Sequence, residues 1–404
     1  STLLASSSAS DWYTRQDKGV AVLKSWDITN AVKAWYENDK KNYGIVLRYE
    51  NILDDVINKM PENSDELIDR YFDFKNITGK FAIDSGKNTN AYPFLTITYK
   101  NNKGLENYWT YTSLSAGDSD TVYVNDYSGN VVAVHTDVQT SGSRMPVTIE
   151  HIYNSCNSDK MYTNIYPSTG WGWKLNIQQT IRLSKDYGLS AESQKIYPYV
   201  YEDGDGTEHY FYKKTENGVA KYYDEDGLGL ELKVSSSGYQ IIDKAKNITQ
   251  FNAAGNITGF KNNQKTVSEI KIAYSNFILN GKTVPAITQI TDGAGHIVKL
   301  NNEIITDDEN NQYLLLQSII DETGNTITVN YYQKCAVSSI SSPKSGTTEF
   351  TSLKQNFMQS LQSIKNDKSN KSITFGYKKV LFGDRIQTIS SDRETLTYKR
   401  HYHN

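Results

Sequence analysis

The chain has 404 residues, enough for roughly two or three ordinary domains and a sizeable hydrophobic core. Lys and Arg number 43 against 46 Asp and Glu, a formal charge of -3, so no global field draws it to nucleic acid or to an anionic membrane, which excludes a histone-like protein and a polybasic anchor. Hydrophobic residues make up 37%, in runs far shorter than the roughly eighteen a spanning helix needs, so a soluble chain without a membrane span is expected.

Tyr (30) outnumbers Phe (12) and Trp (6), and Tyr suits pleated, half-buried sheet surfaces. The 26 Gly sit beside Asn and Asp in turn-like clusters, and Pro is scarce at 7, which predicts many strands joined by tight turns. Ser1 is not followed by a charged segment and an apolar one, so the start reads as mature, processed or cut.

In chain order, Asp27 can cap a short helix whose Ile28, Ala31, Val32 and Trp35 recur on one face. After Asn42, Tyr43 and Gly44, residues 45–49 alternate as a buried strand. Two further amphipathic stripes follow, Ile52, Leu53, Val56, Ile57 and Met60, then Leu67, Ile68, Tyr71 and Phe72 after Ser64. These stripes are the ordinary signature of short helices packed on a sheet. From Phe81 the pattern becomes strands, the run Phe94 to Tyr99 closing a unit before the polar residues 100–104 and placing a domain boundary near 100–105.

Beyond that boundary one unit recurs, an Asp or Asn followed three residues later by Gly and then a β-rich run. It stands at Asp126–Gly129, Asp203–Gly206, Asp224–Gly227, Asn252–Gly255, Asp292–Gly295 and Asp321–Gly324. The acidic or amide side chain caps the amides of its own turn, and Gly takes the positive φ that brings the chain back as a hairpin. Residues 351–365, with Leu353, Phe357, Leu361 and Ile364 at helical spacing, predict a helix that interrupts the sheet. Strands resume at residue 372, and Tyr398 to Asn404 lack a capping element, which suggests that more chain follows.

WDITNAVKAWYENDKKNYGIVLRY with the later AYPFLTITY resembles the last third to half of a DNRLRE domain, a jelly-roll-like β-sandwich of bacterial surface proteins. NYWTYTSLSAGDSDTVYVNDYSGNVVAVHTDVQTSGSRMPVTIEHIYNS and TGWGWKLNIQQTI resemble the opening of a YD-repeat or Rhs-type shell, as in wall-associated protein A-like proteins and related contact-dependent toxins. YVYEDGDGTEHYFY, KYYDEDGLGLEL and the three later hairpins are similar to degenerate YD units that lack most of the Tyr-Asp dipeptides. The resemblance implies a mainly β protein: residues 1–103 as the C-terminal part of a DNRLRE-like sandwich, residues 104–404 as a curved antiparallel sheet of hairpin repeats with a few short helices. It also implies a secreted, cell-surface or cell-wall protein of a bacterium, Gram-positive by the same likeness. Its partners would be the remainder of the same polypeptide, further repeats and a C-terminal toxin that the shell encloses.

No catalytic signature stands out. Glu202, Asp203, Asp205, Glu208 and His209 are tempting as a calcium site, but the segment lacks the oxygen ligands and the bidentate twelfth carboxylate of a calcium loop and reads as a solvated turn. His135, His151, His209, His296, His401 and His403 form no HExxH helix. Neither a nucleophile elbow nor a phosphate loop is present, nor the Asp-Pro dipeptide associated with the self-cleaving core of the Rhs family. No catalytic, cofactor-binding or metal-ligating residue is therefore assigned, and no cofactor or nucleic-acid partner is expected. Cys156 and Cys335 carry no metal spacing, and either a long-range disulfide or two thiols fits them. Trp109, Trp171 and Trp173 could stack on sugars or pack inside, which keeps a rival reading open: a carbohydrate-binding or adhesive surface module, in which Trp12, Trp35 or Trp109 lines an open groove for cell-wall or surface polysaccharide.

Overall fold

A computed structural model describes residues 103–398, apart from short stretches at 159–167, 190, 217, 265–267, 307–309, 333–335, 356–357 and 381–382. These residues belong to one compact unit, Lys100–Lys399. The helices and strands expected before residue 100, Trp12 and Trp35, and the terminal His401 and His403 lie outside the described residues.

The protein is mainly β. A first, five-stranded antiparallel sheet is a simple meander of β1 (Tyr111–Ser115), β2 (Asp120–Asn125), β3 (Val131–Gln139), β4 (Thr148–Asn154) and β5 (Trp173–Leu175). The second begins with β6 (Thr180–Leu183), β7 (Tyr199–Glu202), β8 (Glu208–Glu216), β9 (Val219–Asp224), β10 (Glu231–Ser235), β11 (Gly238–Ile242), β12 (Ile248–Asn252) and β13 (Ile257–Lys261). It continues as β14 (Glu269–Leu279), β15 (Lys282–Thr291), β16 (Ile297–Thr306), β17 (Gln312–Ile320), β18 (Thr326–Tyr332) and β19 (Ala336–Ser342). It ends with β20 (Gly346–Gln355), β21 (Met358–Asn366), β22 (Lys371–Val380), β23 (Gly383–Ser391) and β24 (Thr395–Thr397). Between β6 and β7 lies α1 (Ala191–Ile196), the one α-helix among the described residues. Each strand of this nineteen-stranded antiparallel sheet pairs with its neighbours in sequence, and the sheet is not closed.

Five turns of this sheet share one hydrogen-bond scheme, at 203–207, 243–247, 252–256, 292–296 and 321–325. In each the first residue's N–H donates to the carbonyl of the fifth, the fourth residue's N–H donates to the carbonyl of the first, and the first side chain accepts from the amide of the fifth. The fourth residue has positive φ: Gly206, Gly255, Gly295 and Gly324, but Lys246 in the second copy at 67°. Two expected turns differ in detail. The first is led by Asn125, whose Oδ1 accepts from Tyr127 and Ser128, and the Asp224 turn runs on to Leu230 through two glycines of positive φ.

The predicted helix at 351–365 is not there: Gly346–Gln355 and Met358–Asn366 are paired strands. The helical spacing has a different cause. In β21 the register skips Gln362 between the pairs Thr351–Ser363 and Ser352–Leu361, a β-bulge, so Leu361 and Ile364 point to the same side although three residues apart. The device recurs at Thr288 in β15, Gln317 in β17, Ser338 in β19 and Gln387 in β23. Each time it brings a pair of core residues inward: Ile287 and Ile290, Leu316 and Ile319, Val337 and Ile340, Ile386 and Ile389. The sequence at these places is ITQI, LQSI, VSSI, LQSI and IQTI, a five-copy motif in which two polar residues separate two apolar ones.

Beyond each bulge the strands leave the common ladder as two-stranded ribbons, and a carbonyl on the preceding ribbon loses its ladder partner. At four of the five, those of β15, β17, β19 and β23, a side chain replaces it: Tyr274 donates to the carbonyl of Ile257, Asn302 to that of Ile287, Tyr331 to that of Leu316 and Tyr377 to that of Leu361, at 2.7 to 2.9 Å.

The sheet also coils. The free edge of β6 meets the β12–β13 turn, where Ile181 N–H donates to Gly255 O at 2.8 Å and Ile257 N–H to Gln179 O at 3.3 Å. Gly255 has no alternative there, because a Cβ would lie 1.9 Å from Ile181 O and φ is +75°. The concave side of the coiled sheet packs on β1–β5, and the apolar faces of both sheets form one core. Trp173 is at its centre, 1% exposed, with ring contacts to Phe350 of β20 at 4.8 Å and to Tyr153 of β4 at 5.5 Å.

Candidate functional site

Three groups of polar side chains sit where the two sheets meet. The first is a row across β2, β3 and β4: Asp120 stands opposite His135, and His135 opposite His151. His135 Nδ1 donates to Asp120 Oδ1 at 2.7 Å and His151 Nδ1 to Asp137 Oδ2 at 2.8 Å, with all four side chains at most 1% exposed. Burial alone would lower the basicity of His135, but the hydrogen bond and charge of Asp120 outweigh it and hold its pKa above the usual value. Asp120 also accepts from Thr348 of β20 at 2.8 Å, so the row ties one sheet to the other. The row was invisible in sequence because its members are neighbours only across strands.

The second group joins the β3–β4 loop to two successive turns. Asp292 Oδ2 accepts from Thr140 Oγ1 at 2.8 Å and from His296 Nδ1 at 2.9 Å, while Glu322 Oε1 accepts from Ser141 N–H at 2.8 Å. Hydrogen bonds hold the Asp292 carboxyl low in spite of its burial, and Asp292 raises His296 in turn.

The third group contains the residues weighed in sequence as a calcium loop. The expectation of a solvated turn is overturned: Glu202, Asp205, Glu208 and His209 are all buried and Asp203 half-buried. The cover comes from about a hundred residues upstream and twenty downstream. Leu105 N–H donates to Asp205 Oδ2 at 2.7 Å, Glu106 Oε1 lies 3.4 Å from His209 Nε2, and Asp226 Oδ2 accepts from His209 Nδ1 at 2.8 Å. Asp203 Oδ2 is also 3.4 Å from His209 Nε2. Nearby, Lys174 pairs with Glu202 at 3.1 Å, both side chains 5% exposed or less.

Three carboxylates, those of Glu106, Asp203 and Asp226, stand around the single imidazole of His209. Burial, opposed by His209 and reinforced by Asp203 and Asp226, raises Glu106 to about 7. Burial and the charge of Asp203 raise Asp205 to about 7 as well. His209 is driven well above its usual value, its burial penalty outweighed by Asp203 and Asp226. The cluster borders an open groove of about 360 Å³ lined by Leu105, Val147, Glu150, Asn176, Asp203 and Gly204.

The tryptophans divide. Trp173 is core, Trp171 is half-buried, and half-buried Trp109 stacks on Tyr127 at 5.2 Å, where Tyr127 is 47% exposed. Cys156 is exposed at the end of β4, and Cys335 lies outside the described residues. No helix among the described residues is long and apolar enough to cross a membrane.

One rim of the large sheet carries a line of exposed apolar side chains. The C-terminal ends of β8, β10, β14, β16 and β20 lie on that rim, opposite the Asp203, Asp292 and Asp321 turns, and near it are Val219, Val234, Ile278, Ile304, Ile305 and Leu353.

This is a mainly β protein built from hairpin repeats coiled about a smaller sheet. No family model matches the chain, and no curated protein matches it in sequence. Among solved structures, the crystal structure of TcdB2-TccC3 is similar at a TM-score of 0.36 and 9% identity, over 71% of this chain and 18% of that one. The chain thus spans less than a fifth of that protein's length.

Proposed function

We propose that this chain is the non-enzymatic front section of a secreted or cell-surface YD/Rhs-type protein, whose coiled sheet forms part of a wall that encloses or presents a C-terminal toxin in contact-dependent competition. The observation that carries the reading is the repeat itself: hairpins laid side by side, five of their turns capped in one way and five of their strands bulged so that each presents two apolar residues to the inside. Such a ribbon grows by adding hairpins without changing its chemistry. The exposed apolar rim fits it, since a wall that continues in layers leaves that edge for the next layer. The β1–β5 sheet would then act as a plug at one end, filling the coil where cargo would otherwise escape. The acid–histidine groups hold loops and sheets together and contribute no reaction.

Limited proteolysis of the protein as its cell makes it tests this. The segment after the sheet is expected to resist trypsin while residues 104–398 are folded and to be digested once urea unfolds them. Equal digestion in both states, or a mature protein that ends with this chain, refutes the proposal. The stacked Trp109–Tyr127 pair favours a second reading, an adhesive module for cell-wall polysaccharide. Glycan-array binding that W109A abolishes would support it, and a blank array would remove it.

A further inference from the structure

The Glu106–Asp203–His209 cluster has the form of a metal centre. His209 Nδ1 is taken by Asp226 at 2.8 Å, which fixes the tautomer and turns Nε2 towards Glu106 Oε1 and Asp203 Oδ2. A carboxylate behind the far nitrogen is the usual support of a metal-binding histidine. The two approaches at Nε2 are each 3.4 Å, long for hydrogen bonds yet close to the separation of about 3.3 Å between ligand atoms around a tetrahedral ion with bonds of about 2.0–2.1 Å. The three ligand atoms all lie within 4.8 Å of one another.

A second observation points the same way. The Glu106 side chain is only 7% exposed, and among the described residues its carboxylate accepts no hydrogen bond, its ion contact being His209. A buried carboxylate is ordinarily satisfied by donors, and this one has His209 Nε2 at 3.4 Å, with its ligand oxygen within 4.8 Å of that of Asp203. Asp203 borders the groove, which gives an ion a way in and leaves the remaining coordination place for water. The Asp292–His296–Glu322 group lacks this arrangement, because there the nitrogen nearest the carboxylates is itself the donor to Asp292.

We propose that Glu106, Asp203 and His209 bind a divalent transition-metal ion of the Zn²⁺ type, with Asp226 orienting the imidazole. One nitrogen and two carboxylate oxygens suit Zn²⁺, whereas Ca²⁺ takes six to eight oxygens. The ion staples the loop before β1 to the first hairpin of the large sheet.

The test uses the full chain, stripped with chelator and then dialysed against buffered Zn²⁺, with bound metal measured by elemental analysis and affinity by competition with a chromophoric chelator. One Zn²⁺ per chain is expected, with a melting temperature that rises with free Zn²⁺ and falls back on chelation. E106Q, which keeps the side chain's shape, should bind at least about tenfold more weakly, and D226N about 10–100-fold more weakly, while E322Q at the other cluster should bind as the wild type does. Circular dichroism confirms that each variant is folded. A wild-type chain that retains no Zn²⁺, one that takes Ca²⁺ in preference, or loss of binding in E322Q with none in E106Q overturns the proposal.

Discussion

Replacing Asp321 tests the turn that organises the sheet. Its Oδ1 accepts from the amides of Thr323 at 2.9 Å and Asn325 at 2.8 Å and from Thr323 Oγ1, and its Oδ2 accepts from Asn325 Nδ2 at 2.9 Å and faces Lys344 at 3.3 Å. D321A removes the acceptor for two backbone donors at once. Charge-assisted bonds are worth about 1.5–3 kcal/mol each, and because this turn is near the surface water recovers part of them, so a loss of about 3 kcal/mol is expected. D321N should cost only about 1 kcal/mol, since an amide oxygen does the same work: Asn252 accepts from Asn256 N–H at 3.0 Å in the equivalent turn. Burial would raise the Asp321 carboxyl, but the side chains and amides of Asn325 and Thr323 outweigh it and hold it well below the ordinary range. With the folded pKa depressed, the carboxylate's contribution is complete above the unfolded value of about 3.9 and disappears as the pH falls towards the folded one. The gap between wild type and D321N, read from urea midpoints, should therefore be constant from neutral pH to about pH 5 and close below about pH 4. A D321A chain as stable as wild type, or a gap that widens in acid, would refute the capping argument.

Five further substitutions test other parts of the fold. Y331F removes the donor to the Leu316 carbonyl and should cost about 1 kcal/mol in urea unfolding, as should Y274F and Y377F at their own ribbons. W173A empties the junction of the two sheets and should cost about 3–5 kcal/mol, read as a lowered melting temperature. K246G relieves a left-handed Lys in a turn whose siblings use Gly; set against the extra freedom of the unfolded chain, a gain of about 0.5 kcal/mol is expected, measurable as a raised urea midpoint.

Much of the sheet could be read directly from the residues, because the Asp-x-x-Gly turn carries its own mechanism: cap and positive φ are three residues apart and need no tertiary information. The same rule overlooked Asp243–Lys246, where the fourth residue is strained and is not Gly. The 351–365 segment misled because a bulge imposes a spacing of three on a strand, and three is also helical. Comparing LQSI at 361–364 with its four relatives would have exposed it, since a motif recurring between paired strands is itself a strand. The His209 cluster was half legible. Asp203 and Asp205 are adjacent to it in sequence, but Glu106 and Asp226 arrive through packing, and with them a supposed surface turn became an interior. His135 and His151 meet Asp120 and Asp137 through strand register, which no local pattern encodes.

The contacts between the sheets have a consequence for biosynthesis. Thr140 meets Asp292, Ser141 meets Glu322, Asp120 meets Thr348 and Tyr153 meets Leu361, pairings separated by 152 to 228 residues. Because β1–β5 leaves the ribosome before the large sheet, it is expected to serve as the mandrel on which later hairpins are wound, with each docking point fixing how much ribbon lies between it and the next. Adding or deleting one hairpin between residues 292 and 361 would put every later docking point out of phase. Variation in repeat number is therefore expected only downstream of the last point where the ribbon touches its mandrel.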